Sequence, residues 1–374
     1  MKRIFLIILL MSGAIAQSAE IKPNPRLLTL EPNQWVKIHE QKKGDTVRFM
    51  RQAHGGSCFD TKRCRLVLFG SNTHSRDWKN NLFFFDPVKT EWTASYPEDP
   101  KGTYTVTEKG IPVAGKNNDH PWATHTFGTV VYDPKRDEMI VGCYPGHMRP
   151  DKWGKAVRHL WPSIKKHPTW TYRFAEKKWH ALACKAVHFF PCSAAWDTDR
   201  NVMVAHRPGR IYELSGDPRQ WKQVASGKTL PGWGHDNCVY DSKNKNVIIF
   251  GSNKNTNTIA VYDPAKKKVS VMPTPGPRPP RDQHNPMAFE PEAGVTVIVV
   301  DRTKKKDNAE KDTAETWLYD AAKDSWMKIK TATLPFACGM NYAMEYDPFH
   351  KVLLLVTGTY GRPTRVWALK VKSE

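Results

Sequence analysis

Two histidines, His125 and His147, stand at the ends of the stretch HTFGTVVYDPKRDEMIVGCYPGH. Small and apolar residues on either side of Tyr132-Asp133-Pro134 predict two buried antiparallel strands joined by a turn. Proline presets φ and the aspartate bonds the local backbone, which favours that turn. A hairpin brings its ends together, so we expect both imidazoles at one end, on adjacent strands. Imidazoles titrate near neutral pH, which suits this pair to accept and donate protons.

Basic and amide side chains recur where other predicted strands begin or end. Counting six places back from each predicted turn acid gives the starts of the first strands: His54, Phe127, Pro191, His235, His284 and Asn341. The ends of the second strands carry Asn72, His74, His147, His206, Arg207, Arg210 and Asn253. An opening lined with imidazole, guanidinium and amide groups suits an anionic sugar chain, because an Arg guanidinium can donate two parallel hydrogen bonds to a planar carboxylate. Trp153 and Trp161 add faces on which sugar rings can pack.

These residue types favour elimination over hydrolysis. Glycoside hydrolysis needs a pair of carboxylates, and the predicted opening has no such pair. The sequence has neither a GxSxG motif nor a cysteine nucleophile motif. A histidine can remove the proton α to a uronate carboxylate, while Arg neutralises the growing enolate charge. We therefore expect β-elimination on a uronate-containing polysaccharide, with His125 and His147 as acid and base.

A repeated pattern predicts the fold that positions these groups. The first half of each copy is a strand of small and apolar residues that ends in an aromatic residue and an acid, followed by a polar turn and a hydrophobic strand. The second half is an apolar strand, a turn and usually a Trp. Six copies begin at His54, His125, Pro191, His235, His284 and Asn341. This predicts an all-β, kelch-like β-propeller of six or seven four-stranded blades, since a degenerate blade could lie within a long copy. The last copy lacks its final strand, and the lone strand at Trp35 can close the ring by pairing the N- and C-terminal strands.

Two insertions interrupt this pattern, at 96–124 and 148–168. They flank the predicted hairpin, so both should rise on the side of its two histidines. Long loops on a rigid scaffold are where binding and catalytic residues concentrate.

The N-terminal residues predict export. Lys2-Arg3, the apolar run 4–11 and the small-x-small site Ala14-Ile15-Ala16 make a signal peptide over 1–16, with cleavage between 16 and 19. The apolar run is too short to span a bilayer. We expect a secreted or periplasmic monomer without membrane insertion, in which 20–374 is one propeller domain.

The formal net charge of +20 favours a polyanionic partner. Export and the lack of a nucleic-acid-binding motif favour an anionic polysaccharide, with no nucleic acid as partner. The alternative is that the charge serves solubility alone.

Seven cysteines in an exported chain permit disulfides, and the odd count leaves one over. Cys58 with Cys64, and Cys184 with Cys192, are the pairs that could form. His235 and Cys238 could hold a zinc ion together with a remote Cys or His; the alternative is that they are small buried residues.

The stretch PWATHTFGTVVYDPKRD, preceded by YPEDP and GIPVA and followed by a second His, resembles the β-propeller ulvan lyases. The resemblance implies that His125 and His147 carry catalysis and that Arg207, or alternatively Arg210, neutralises the uronate. It requires no cofactor for the chemistry and allows a structural zinc or calcium ion, whose ligands no motif identifies. The residues then expected to bind substrate are Arg210, His54, His235, His284, Trp153 and Asn72.

This sequence departs from those lyases in two respects. They have seven blades, and six copies are visible here. A tyrosine that acts as acid or base in one branch would fall near 189–191, where this chain has none; Tyr144 or His188 could replace it.

Two other functions stay open. One is a non-catalytic kelch-type propeller that binds an anionic glycan or a protein partner. The other is a metal-dependent enzyme of another class, with His54, His235 and His284 as ligands.

Overall fold

The computed structural model describes residues 21–42, 45, 55–71, 78–152, 154–227, 234–251, 258–280, 285–301, 314–335, 342–358 and 363–372. Within these ranges, six four-stranded antiparallel sheets form the blades of a β-propeller. The predicted signal peptide lies outside them. None of the helices in these ranges combines the length and apolar character that crossing a bilayer requires.

Each blade is a meander of four strands, numbered here along the chain. The first blade contains β2 (Gly56–Asp60), β3 (Arg65–Phe69), β4 (Phe83–Asp86) and β5 (Glu91–Ala94). The second contains β8 (Val130–Asp133), β9 (Glu138–Val141), β10 (Pro168–Arg173) and β11 (Lys178–Lys185). The third contains β12 (Ala194–Asp197), β13 (Val202–Arg207), β14 (Arg210–Ser215) and β15 (Gln220–Ser226). The fourth contains β16 (Asn237–Asp241), β17 (Asn246–Phe250), β18 (Ile259–Asp263) and β19 (Lys268–Val271). The fifth contains β20 (Met287–Glu290), β21 (Val295–Asp301), β22 (Ala314–Asp320) and β23 (Ser325–Leu334). The sixth contains β24 (Ala343–Asp347), β25 (Val352–Thr357), β26 (Arg365–Leu369) and β1 (Trp35–Glu40). A short helix, α1 (Pro25–Leu28), precedes β1.

One buried acid shapes the first turn of every blade. In the second blade the Asp133 carboxylate accepts hydrogen bonds from the backbone N–H groups of Lys135 and Arg136, at 3.0 and 3.1 Å. The same arrangement recurs at Asp60, Asp197, Asp241, Glu290 and Asp347. A carboxylate that caps its own turn satisfies backbone donors that burial would otherwise leave unpaired. This repeated turn is the feature that made the six copies visible in the sequence.

The ring closes through its terminal strands, as predicted. Strand β1 pairs antiparallel with β26, placing Trp35 opposite Leu369, so β1 is the outermost strand of the sixth blade. The Trp35 indole N–H donates to Thr316 Oγ1 at 2.8 Å, which ties this strand to the fifth blade. The innermost strands β2, β8, β12, β16, β20 and β24 each contact those of both neighbouring blades. The described blades therefore form a closed ring of six.

The two insertions pack on each other. The first contains a 3₁₀ turn (Lys101–Thr103) and the strands β6 (Thr105–Val106) and β7 (Pro112–Val113). The 3₁₀ segment Gly146–Met148 leads into the second, which contains the 3₁₀ segment Lys155–Ser163. They share a hydrophobic cluster, which we call the cap core: Trp78, Tyr104, Ala114, Trp122, Ala123, Met148 and Val157. The backbone N–H groups of Lys165 and Lys166 donate to the Gly110 carbonyl at 3.0 and 3.2 Å. Both insertions therefore form one cap.

The two disulfides that the sequence permits are not formed among the described cysteines. Cys58, Cys64, Cys143, Cys184, Cys192 and Cys238 are all buried and free, and Cys338 lies outside the described residues. Cys58 and Cys64 belong to different hydrophobic clusters, so their thiols face apart across the first blade. Cys184 packs in an apolar cluster, whereas the Cys192 thiol lies beside Asp236. Burial raises the pKa of Cys58, Cys192 and Cys238 well above the ordinary thiol value.

Candidate functional site

His125 and His147 meet as the hairpin predicts. Their ring centroids are 4.0 Å apart and their planes are inclined by 31°. His125 lies just before β8 and is 1% exposed, while His147 lies just after β9 and is half-buried. The pairing of β8 with β9 continues past the strands, because the Gly142 N–H donates to the Thr129 carbonyl at 2.8 Å. This continued ladder brings both imidazoles to one end.

A phenyl ring, that of Phe190, lies at the centre of the site. Its centroid is 5.3 Å from that of His125 and 4.9 Å from that of His147, and its plane is steeply inclined to both. The rings of His235 and His188 lie 6.0 and 6.2 Å from it. Phe190 lies in the stretch 189–191, and its phenyl ring has no proton to transfer. His235, expected to bind substrate, lies in this cluster.

A second row of rings extends from this cluster. Tyr144 lies between two imidazoles, with centroids 4.4 Å from His167 and 4.3 Å from His188. The Tyr144 backbone N–H donates to His188 Nδ1 at 3.3 Å. Burial lowers the pKa of His167 to about 4. Burial, followed by the charges of Arg207 and Lys152, lowers the pKa of His188 to about 3. Both imidazoles are therefore neutral at neutral pH.

Arg207 and Arg210 face each other across the turn from β13 to β14 and are exposed. The positive charge of Arg207 helps to lower the pKa of His188. Alternation along β13 directs its neighbour His206 to the buried side, where it is 2% exposed.

Residues from three segments form a group that fits a metal ion. Cys192, His206 and Asp236 are buried, and their ligand atoms all lie within 4.8 Å of one another. His206 Nε2 lies 3.1 Å from Asp236 Oδ1, yet neither ring nitrogen of His206 has a hydrogen-bond partner in the described part of the chain. Buried polar atoms are nearly always satisfied, so orphaned nitrogens beside a thiol and a carboxylate favour a cation. Sulfur, nitrogen and oxygen ligands together suit zinc better than calcium.

A second group of the same residue types does not fit a metal. In Cys64, Asp347 and His350, the imidazole Nδ1 is 2.6 Å from the Asp347 carboxylate. Its Nε2 accepts the Asn24 backbone N–H at 2.8 Å. Both nitrogens are occupied, and the contact joins the start of the described chain to the sixth blade.

Sequence reasoning found only part of this site. It selected His206 and the segment around His235 and Cys238, but the residue of that segment in the metal-type group is Asp236. Cys192, His167 and the central place of Phe190 were missed, because nothing in their spacing marks them. The substrate-binding candidates His54, Asn72, Trp153 and His284 lie outside the described residues.

Comparison of the sequence with protein-family models and with curated proteins finds no match. The fold and the geometry around Phe190 are therefore the basis on which function is assigned.

Proposed function

We propose that this protein is an exported polysaccharide lyase of the ulvan-lyase type that cleaves a uronate-containing, anionic glycan by β-elimination. The observation that carries the proposal is the contact between His125 and His147, at 4.0 Å between ring centroids. Base and acid must both reach one sugar, and this hairpin brings two groups of the right chemistry together.

The two histidines can supply both the base and the acid that elimination needs. Two positive charges about 4 Å apart repel by roughly 4 kcal/mol at an effective dielectric constant of about 20, so one shared proton is favoured over two. The proposed reaction requires one imidazole to be neutral and the other protonated. The neutral one removes the proton α to the carboxylate, and that electron pair forms the carbon–carbon double bond. The glycosidic oxygen leaves with the proton of the second imidazole. His147 is the more exposed of the two and so the more accessible to substrate.

Nearby groups would support this step. Arg207 is exposed, its charge acts on His188, and its planar set of N–H donors suits the uronate carboxylate, with Arg210 as the alternate. The apolar ring of Phe190 would shield one side of both imidazoles from water, which would strengthen the charge contacts made there.

A zinc ion held by Cys192, His206 and Asp236 would have a structural role. Cys192 precedes β12, His206 lies in β13 and Asp236 precedes β16, so these ligands would tie the third blade to the fourth. Bound there, the ion supplies a crosslink and neutralises the thiolate and the carboxylate. It would also fix the backbone next to Arg207.

The test is the ultraviolet absorbance of unsaturated uronate during incubation with ulvan and other polyuronates. We expect product from the native protein, and a loss of about 10²- to 10⁴-fold in rate for His147→Ala and His125→Ala, as for removal of a general acid or base. The matched control is His159→Ala, an exposed histidine of the cap, which should retain the native rate. No product from any polyuronate, or equal rates for all three variants, would contradict the proposal.

The second candidate is a propeller that binds an anionic glycan or a protein partner without cleaving it. It is favoured by Phe190, since a group that cannot transfer a proton occupies the centre of the site. It predicts salt-sensitive binding of a polyuronate with no product, unchanged in His147→Ala.

A further inference from the structure

A cavity of about 350 Å³ runs along the central channel of the propeller. Residues of all six innermost strands line it, together with exposed residues of the first turns such as Thr61, Thr198 and Pro291. The channel therefore opens to solvent at the face that carries these turns. The histidine pair lies at the other end of β8 and β9, and neither of its imidazoles lines the cavity. The volume is within the range of about 300–1,000 Å³ that is typical of small-molecule sites.

Every blade contributes one aromatic side chain to the channel wall. These side chains belong to the residue just before each turn acid: Phe59, Tyr132, Trp196, Tyr240, Phe289 and Tyr346. Trp196, Phe289 and Tyr346 are half-buried, so part of each remains accessible to a ligand. The face of an aromatic ring attracts a cation, and that of Trp does so most strongly.

One carboxylate interrupts the repeat along this wall. Two residues before the turn acid, five blades have a small or apolar residue and the sixth has Glu345. The five equivalent residues, which also line the channel, are Cys58, Val131, Ala195, Val239 and Ala288. Among the described residues that line the channel, Glu345 is the only charged one. A single negative charge in a concave site selects for a cationic ligand.

The Glu345 carboxylate has a defined position. Its Oε1 accepts a hydrogen bond from the Ser57 hydroxyl at 2.6 Å, which links the sixth blade to the first. The amide oxygen of a glutamine could accept the same hydrogen bond, so this link does not explain why the residue is charged. A cation bound in the channel would lie beside the carboxylate and lower the free-energy cost of its partial burial.

The wall is also fixed before any ligand binds. Strand β24, which contains Glu345, pairs with β25 over its whole length, from Ala343 opposite Val356 to Asp347 opposite Val352. A preformed site binds more tightly than one that its ligand must order.

The available groups fit an organic ammonium ion better than a metal ion. Calcium takes about six to eight oxygen ligands, and zinc favours several sulfur or nitrogen ligands. One carboxylate and one hydroxyl are too few for either. The wall also includes apolar side chains, such as those of Val130, Met287 and Met344, along which an alkyl chain can pack.

We propose that the central channel binds an organic ammonium ion that has an apolar chain. The cationic head lies between Glu345 and the aromatic side chains, and the chain lies along the apolar wall. This site is separate from the histidine pair, so the inference does not rest on the proposed lyase function.

The test compares three probes with the same six-carbon chain by calorimetry: hexyltrimethylammonium, hexanol and hexanoate. We expect one hexyltrimethylammonium ion to bind per chain, hexanol to bind more weakly, and hexanoate to bind most weakly because Glu345 repels it. Glu345→Gln keeps the side-chain size and the acceptor for Ser57. It should weaken binding of the ammonium probe by about tenfold or more and leave hexanol binding unchanged, because only the charge is lost.

The matched control is Glu91→Gln, at an exposed position of β5, the outermost strand of the first blade. It removes the same charge outside the channel and should bind all three probes as the native protein does. Phe289→Leu removes one aromatic ring and keeps an apolar side chain, so it should weaken binding of the ammonium probe by about three- to tenfold.

Equal affinity of the native protein for the ammonium probe and hexanol, or native affinity in Glu345→Gln, overturns the proposal. Should Glu345→Gln fold poorly by circular dichroism, Phe289→Leu decides, and unchanged binding of the ammonium probe in that variant overturns it. Because binding is measured, an absence of lyase activity would not affect this result.

Discussion

Two half-buried neutral histidines, His167 and His188, should make the protein acid-sensitive. The pKa of His188 is lowered to about 3 by burial and by the charges of Arg207 and Lys152, and that of His167 to about 4 by burial. Both have an ordinary value of 6.5. Below pH 6.5 the unfolded chain binds a proton at each site that the folded protein does not bind. The free energy of unfolding therefore falls as the pH is lowered.

The size of this change in the free energy of unfolding follows from the lowered pKa values of the two histidines. One proton of difference changes the free energy of unfolding by about 1.4 kcal/mol per pH unit. Between about pH 6.5 and pH 4.5, each histidine should lower it by about 2–3 kcal/mol. Replacing His188 by Gln removes one titrating group, so His188→Gln should lose about 2–3 kcal/mol less than the native protein over this range.

Urea denaturation at a series of pH values measures this difference. At pH 7.5 both imidazoles are neutral, so the difference in the free energy of unfolding between His188→Gln and the native protein measures only the lost packing. This difference is the reference for the values at lower pH. Arg207→Gln should raise the pKa of His188, because it removes a nearby positive charge, and an NMR titration of the imidazole would show this. If the free energies of the native protein and His188→Gln fell in parallel with pH, His188 would not be the neutral half-buried group described here.

Three further predictions concern the metal-type group and the ring. Dialysis against zinc should load one ion per chain, and His206→Ala should abolish stoichiometric uptake and lower the thermal midpoint; equal zinc content in both proteins would contradict the assigned ligands. Thr126→Val should cost about 1–3 kcal/mol by denaturant unfolding, because the buried Thr126 hydroxyl accepts the Gly56 N–H at 2.7 Å and donates to the Phe69 carbonyl at 2.6 Å. Leu369→Ala, at a fully buried position of the closing strand, should cost about 2–5 kcal/mol in the same measurement, and a loss below 1 kcal/mol would argue that β26 is loosely packed.

The ring was predictable because its information is local and repeated. An aromatic followed by an acid marks each first turn, and the missing last strand pointed to Trp35 as its replacement. The contact between His125 and His147 was predictable for the same reason, since one hairpin contains both residues and its register fixes their separation.

The rest of the site depends on contacts between segments that share no period. Phe190, Tyr144 and His167 come from connections that follow neither strand alternation nor the repeat, so their sequence positions did not reveal their contacts. The metal-type group combines one residue from each of three separate segments. The two possible disulfides are not formed, because the number of cysteines does not determine which face of a blade a thiol occupies.

The pairing of β1 with β26 has a kinetic consequence. The two strands come from nearly opposite ends of the chain, so the sixth blade contains the contacts of longest sequence separation and should be the last to assemble. Loop-closure entropy grows only slowly with length, so this arrangement delays folding more than it weakens the finished ring. Until β26 is available, β25 presents an unpaired hydrogen-bonding edge, and a chain ending before Arg365 would be prone to aggregate. The same adjacency makes the protein suited to circular permutation, with new ends in the exposed turn between β18 and β19 and the old ones joined.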